Sequence, residues 1–124
     1  MTKDELVALP PEKVNELAAT EIMKRHISPE GRYYWWENAS DGHMCRQAVN
    51  EWNPMSSIAD AWLLLEEMLD NPEGFTLEHS PWSHKDKRWK LSIYLTDEKV
   101  CAVCAAIAPA AITLACVAAA MEVE

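Results

Sequence analysis

Trp82, His84, Lys85, Lys87, Arg88, Trp89 and Lys90 crowd into one short stretch, and they form the densest chemical cluster in the chain. Four cations against the single Asp86 give +3 between Lys85 and Lys90, while the whole chain carries a formal −9. Subtracting that +3 leaves −12 for the remainder. A basic, Trp-flanked loop on an acidic protein suits a small anionic ligand. Lysine and arginine meet phosphate oxygens, and an indole face stacks on a base. Arg32, Tyr34, Trp36 and Arg46 add to such a pocket if the outer face of their sheet lies nearby. The plainer alternative is a solvated hairpin, with Trp89 in the core and the cations discouraging edge pairing.

Other constellations point less far. Cys101-Ala102-Val103-Cys104 has the spacing of a redox or half-zinc motif. Zinc needs two further ligands, and His26, His43, Cys45, His79 and His84 form no second paired motif. Ala and Val surroundings raise a thiol's pKa and make it inert, so small-residue packing is the expected role. His43 and Cys45, two apart on a strand, share a face but have no third group to orient a base. Glu66 and Glu67 are neighbours on a helix, about 100° apart, and cannot face each other as paired carboxylates. No catalytic residue, metal ligand or cofactor is expected, and the chain is read as a non-enzyme.

The elements that must position the cluster are legible. Thr2 with Glu5 makes a capping box for a short first helix ended by Pro10-Pro11. A second helix is expected from Pro11 to Arg25, with Val14, Leu17, Ala18 and Ile22 on its apolar side. Arg32 to Glu37 reads as a strand with Tyr33 and Trp35 on one face and Tyr34 and Trp36 on the other. Asp41-Gly42 turns into a returning strand, His43 to Gln47. From Ser57 to Leu69 runs an amphipathic helix whose stripe is Ile58, Trp62, Leu65 and Leu69, widened by Ala61, Leu64 and Met68. Ser57 and Asp60 cap it, and Asn71-Pro72 ends it. Phe75 to His79 is a third strand, and Arg88 to Leu95 is a fourth, with Trp89, Leu91, Ile93 and Leu95 facing one way.

Between Val100 and Met121 lie 22 residues whose only hydroxyl is Thr113. By length this segment could span a bilayer. Ten of the 22 are Ala, which adds little transfer energy, Pro109 interrupts the run, and Lys99 is the only basic flank. A buried strand from Val100 to Cys104 and a helix opened by Pro109 are expected instead. That helix is apolar nearly all round and must be covered on more than one face, which predicts a homo-oligomer through the C-terminal helix.

Composition sets the outer bounds. A chain of 124 residues forms a single domain, 1–124, and 49% apolar residues argue against disorder. The charge of −9 argues against a general double-stranded nucleic-acid binder. No secretory signal or membrane span is expected, and four cysteines without regular spacing indicate a reducing compartment.

In order, the chain gives an N-terminal helix, Tyr34-Trp35-Trp36, His43-Met44-Cys45-Arg46 and Trp52-Asn53-Pro54-Met55-Ser56. The last runs into Ile58-Ala59-Asp60-Ala61-Trp62-Leu63, and Ala108-Pro109-Ala110-Ala111-Ile112 follows. This pattern resembles small phage and prophage proteins of the phage ABA-sandwich domain family. Its most specific part is the Trp-Asn-Pro-x-Ser lead-in followed by Ala-Trp on the helix; it departs chiefly over residues 74–90. The resemblance implies an α+β, three-layer α-β-α sandwich, and a mostly antiparallel sheet of about four to five strands with about three main helices is expected. It also implies a phage or prophage origin, hence a place in the host bacterial cytoplasm, and it implies no activity.

Two functions follow as expectations. The first is a phage accessory binding protein that sequesters a small anionic, nucleotide-like ligand as an oligomer. Phage origin favours an immune-signal nucleotide by analogy alone. The alternative is an acidic protein–protein interaction factor that inhibits or recruits a host protein.

Overall fold

The computed structural model describes residues 1–68, 74–94 and 100–123. Leu69, Asn71-Pro72, Leu95 and Lys99, to which roles were assigned above, lie outside them. The first helix, α1 (Lys3–Ala8), starts on the expected capping box: Glu5 N–H donates to Thr2 Oγ1 at 3.2 Å, and Thr2 N–H donates to Glu5 Oε1 at 3.4 Å. Pro11 opens α2 (Pro11–Leu17), which widens into a π turn, Ala18–Ile22, rather than running to Arg25. Thr20 Oγ1 donates to the Glu16 carbonyl at 3.0 Å, a back-bond of the kind that bends helices. Lys24 then takes φ 56°, so the chain turns away before Arg25.

Among the described residues, six strands form two antiparallel sheets of three, where a single sheet of about four to five strands was expected. The first joins β1 (His26–Ile27), β2 (Tyr33–Glu37) and β3 (Met44–Ala48) in that order. His26 and Arg46 both pair with Trp35 across it. The β2–β3 turn needs Gly42 at φ 73°, and Asp41 Oδ1 accepts the His43 N–H at 2.9 Å. After the Trp52-Asn53-Pro54 lead-in come α3 (Ile58–Met68) and β4 (Phe75–His79). The second sheet adds β5 (Trp89–Tyr94) and β6 (Val100–Ala105), and α4 (Ala108–Ala120) closes the order.

The centre of the fold is α4. Its residues Ala110 through Ala119 are all buried, covered by α3, by β5 and β6, and by the N-terminal helices and π turn. Small alanine side chains let these elements approach from several directions at once. The chain itself thus covers a helix that is apolar nearly all round, and α4 needs no second subunit to do so. Thr113, its one hydroxyl, donates to the Pro54 carbonyl at 2.7 Å and so avoids an unpaired buried polar group. Among the described residues, no helix is long and apolar enough to cross a membrane.

Helix α3 is rotated relative to the predicted stripe. Ala61, Leu64 and Leu65 are buried with Met68 half-buried, a run of i, i+3, i+4 and i+7 laid on α4. Ile58 is 52% exposed and Trp62 43% exposed, with the Trp62 ring meeting Phe75 edge-on at 5.9 Å. The apolar arc in the sequence is wide enough to admit either rotation. The choice falls to whichever part meets α4.

Candidate functional site

The outer face of the first sheet gathers the groups best suited to bind something. Alternation along β2 and the register with its neighbours place Tyr33 and Trp35 on one face with His26, Met44 and Arg46. The His26 ring stacks on Trp35 at 4.2 Å between centroids and 25° between planes. Arg46 lies over the Tyr33 ring, 4.9 Å from its centroid. A shallow, open cavity of about 470 Å³ is lined by Tyr33, Trp35, Met44, Cys45 and Arg46. Among the described residues, no carboxylate lies within ion-pairing distance of Arg46. Its guanidinium is therefore held against an aromatic face while its N–H edges stay available to an anion. The arrangement can stack a planar ring and pair with a negative charge beside it. It holds no nucleophile–base pair: Cys45 Sγ lies 4.0 Å from the His43 carbonyl, and the His43 ring turns to Asp41 at 3.2 Å.

Of the residues expected in a ligand pocket, Arg46 lies in this platform. Arg32 lies exposed just before β2, its backbone N–H bonded to Ser28 Oγ at 3.1 Å. Tyr34 and Trp36 belong to the opposite, inner face, which corrects the expected pairing with the outer one. Tyr34 is 1% exposed, and burial, then the nearby Glu16 carboxylate, pushes its phenol above the ordinary range while Arg25 pulls it down. Trp36 lies under the Arg25 guanidinium, 4.0 Å from its ring centroid, and Trp52 lies 4.6 Å from the same guanidinium. Arg25 Nη1 donates to Gln47 Oε1 at 2.8 Å, so this cation is committed to the interior. The residues missed at the outer face are His26, Tyr33 and Trp35. Their signal was the two-residue alternation itself, which marks two ring-bearing faces and leaves the choice between them open.

The basic loop stands apart from that cavity. Trp82 is 93% exposed, and His84, Lys85, Lys87, Arg88 and Lys90 are exposed as well. Lys85–Lys87 form a 3₁₀ turn capped by His84, whose Nδ1 accepts the Asp86 N–H at 3.4 Å. None of these residues lines the cavity beside Arg46. Trp89 is half-buried against the His79 ring at 4.4 Å, as a hairpin anchor. The Cys101–Cys104 spacing makes no ligand pair either, because residues three apart on β6 point to opposite faces, Cys101 inward and buried. Among the described residues, no three His, Cys, Asp or Glu side chains group as a metal site.

Comparison with known proteins fits this fold. No curated protein matches the chain. A crystal structure of a phage protein from Bacillus cereus ATCC 14579 superposes with a TM-score of 0.65 at 21% identity, covering 90% of this chain and 92% of that one. At that identity the likeness speaks for the fold alone. The model of the phage ABA sandwich domain matches residues 16–117, which takes in the sheet with the aromatic platform, α3, the second sheet and most of α4. The chain belongs to the phage ABA sandwich domain family.

Proposed function

We propose that the protein is a non-enzymatic phage accessory protein that captures a small anionic, nucleotide-like ligand on the outer face of its first sheet. The observation that carries this reading is the juxtaposition of Trp35, Tyr33 and Arg46 around one open cavity of about 470 Å³. That size falls within the roughly 300–1,000 Å³ of small-molecule sites. A base would stack on Trp35 or Tyr33, and a phosphate would meet the Arg46 edge. Membership of a phage family favours a nucleotide made in host defence by analogy alone.

Thermal-shift and calorimetric titration with cyclic and NAD-derived nucleotides test the reading. The expected result is stabilisation by about 2.7 kcal/mol at a ligand concentration 100 times the dissociation constant. Trp35→Ala should weaken binding by about 1–3 kcal/mol through lost stacking, whereas Lys87→Ala, away from the cavity, should leave it unchanged. A screen with no stabilising nucleotide, or undiminished binding by the Trp35 variant, sinks the proposal.

One observation favours the alternative of a host-protein interaction. Ile58, Trp62 and Leu63 form an exposed apolar strip on α3, and Glu66 and Glu67 follow them on the same helix. An apolar strip with an acidic border suits a partner whose apolar groove is flanked by Lys or Arg. In a pull-down from bacterial lysate, a captured protein that survives 0.5 M salt (on the order of a 4 Å Debye length) should be lost with Trp62→Ser. Capture that is indifferent to Trp62 removes this reading.

A further inference from the structure

Trp82 is out of place as a solvated residue. An indole that is 93% exposed forgoes the burial that makes tryptophan useful in a fold, and such residues recur as central anchors of protein interfaces. The loop around it is internally fastened. Ser80 N–H donates to the Arg88 carbonyl at 2.7 Å, closing the neck. Ser83 bonds back to Ser80 through both backbone and hydroxyl, and Lys87 N–H donates to the His84 carbonyl at 2.8 Å. Trp82 is thus presented with Lys85, Lys87 and Arg88 beside it in a defined arrangement, so little ordering remains to be done on binding.

The same chain carries a complementary surface elsewhere. Between α2 and the first sheet lies a groove of about 430 Å³, with exposed Pro10 and half-buried Ile27 and Val49 supplying apolar surface and Glu12 and Glu16 on the α2 side. Lys13 is also there, but it is paired with Glu16 at 2.8 Å. The charged groups that line the groove are Glu12 and Glu16 against Lys13, a net single negative charge, and Glu12 is exposed there. Two copies of a −9 chain repel on average. The orientation that lessens this sets the basic Trp82 loop of one copy on the Glu12–Glu16 side of the other.

We propose that the Trp82 loop of one copy docks in the Glu12–Glu16 groove of a second copy. The indole covers the apolar groove surface, while Lys85, Lys87 and Arg88 face the carboxylates. Loop and groove are different patches, so the contact is heterologous and propagates head to tail, closing as a ring or continuing as a filament. It is independent of the nucleotide site, because neither patch includes Trp35 or Arg46.

Sedimentation velocity over a concentration series, at low salt and at high salt, tests the contact. The wild-type chain should associate with rising concentration, and more weakly at high salt. Trp82→Ala, the pair Lys85→Glu with Lys87→Glu, and the pair Glu12→Lys with Glu16→Lys should each weaken association at least tenfold. Trp82, Lys85, Lys87 and Glu12 are exposed and Glu16 is half-buried, and circular dichroism checks that each variant keeps its fold. An equimolar mixture of the two charge-reversed pairs should associate again, since each loop then meets a groove of opposite sign. A wild-type chain that stays monomeric overturns the proposal, whether or not its loop binds an oligonucleotide. So does association that Trp82→Ala leaves intact, or that the Glu12/Glu16 reversal does not weaken. Failure of the mixture to re-associate overturns the pairing of these two patches.

Discussion

Replacing Trp52 by alanine is expected to destabilise the protein by about 3–5 kcal/mol. This side chain is 1% exposed, and its indole Nε1–H donates to the Asn15 carbonyl at 3.0 Å. It also forms one of the two aromatic walls of Arg25, whose guanidinium stands 4.6 Å from the Trp52 ring and 4.0 Å from Trp36. Truncation opens a cavity, removes one of two donors to the Asn15 carbonyl (the Ala18 N–H is the other) and strips one wall from a half-buried cation. The loss spreads because the whole lead-in is tied down from several elements. Asn15 Oδ1 accepts the Met55 N–H at 3.0 Å, Asp60 Oδ2 accepts the Asn53 N–H at 3.0 Å, and Thr113 on α4 holds the Pro54 carbonyl. Trp52→Phe keeps most of the ring and removes the donor, so it should cost about 1–3 kcal/mol. Chemical denaturation followed by circular dichroism measures both. An alanine variant within about 1 kcal/mol of wild type, the effect of an average point mutation, would show that the lead-in is not the knot described.

The same lead-in shows what the sequence could and could not disclose. Features decided within a turn or two were legible: the Thr2–Glu5 capping box, the Asp41-Gly42 turn, the alternating strand from Trp89, and Pro109 at the start of the last helix. Asp60 illustrates a partial reading. Its N–H does bond Ser57 Oγ at 3.3 Å, but its carboxylate turns to Asn53 instead of returning to the cap. Features decided by distant contacts were not legible. The rotation of α3 depends on α4, some fifty residues away by sequence, so Ile58 and Trp62 read as core when Ala61 and Leu64 are. An all-apolar α4 announces that it is covered, without saying that its own chain does the covering. At β2, periodicity separates Tyr34 and Trp36 from Tyr33 and Trp35. What covers Trp36 is Arg25, itself set against Trp52, and local pattern connects neither to it. Strand β1, only His26 and Ile27, is too short to carry any pattern, yet it brings His26 onto Trp35. The basic loop, by contrast, was conspicuous because its residues are contiguous. Contiguity marks a charged surface, whereas a cavity needs walls from several elements.

Alkali above pH 9 is expected to destabilise the protein through a thiol in the middle of α4. Cys116 is fully buried among Ala, Val and Leu, and burial pushes its thiol up to about 12 from an ordinary 9.0, with the neighbouring Cys101 adding to the rise. In the unfolded chain this thiol ionises near its ordinary value. Below pH 9 both states therefore hold the proton, and Cys116 contributes no pH dependence. Between about pH 9 and pH 12 the unfolded state releases a proton that the folded state retains, so stability falls as pH rises. The slope approaches about 1.4 kcal/mol per pH unit, and the loss across the window is on the order of 4 kcal/mol. Tyr34, whose phenol burial also raises, bends the curve the same way at higher pH. Cys116→Ala separates the two contributions. The variant starts less stable, having lost a packed sulfur, but its stability should decline more gently above pH 9, and the gap to wild type should narrow. Denaturant midpoints at pH 7, 9 and 10.5 measure this, and parallel curves for the two proteins would falsify the role of Cys116. The same physics bears on the cysteines as chemistry: a thiol kept protonated well beyond neutral pH is neither a nucleophile nor a ready metal ligand. In α4 it serves as a small apolar side chain in a helix that the rest of the fold surrounds.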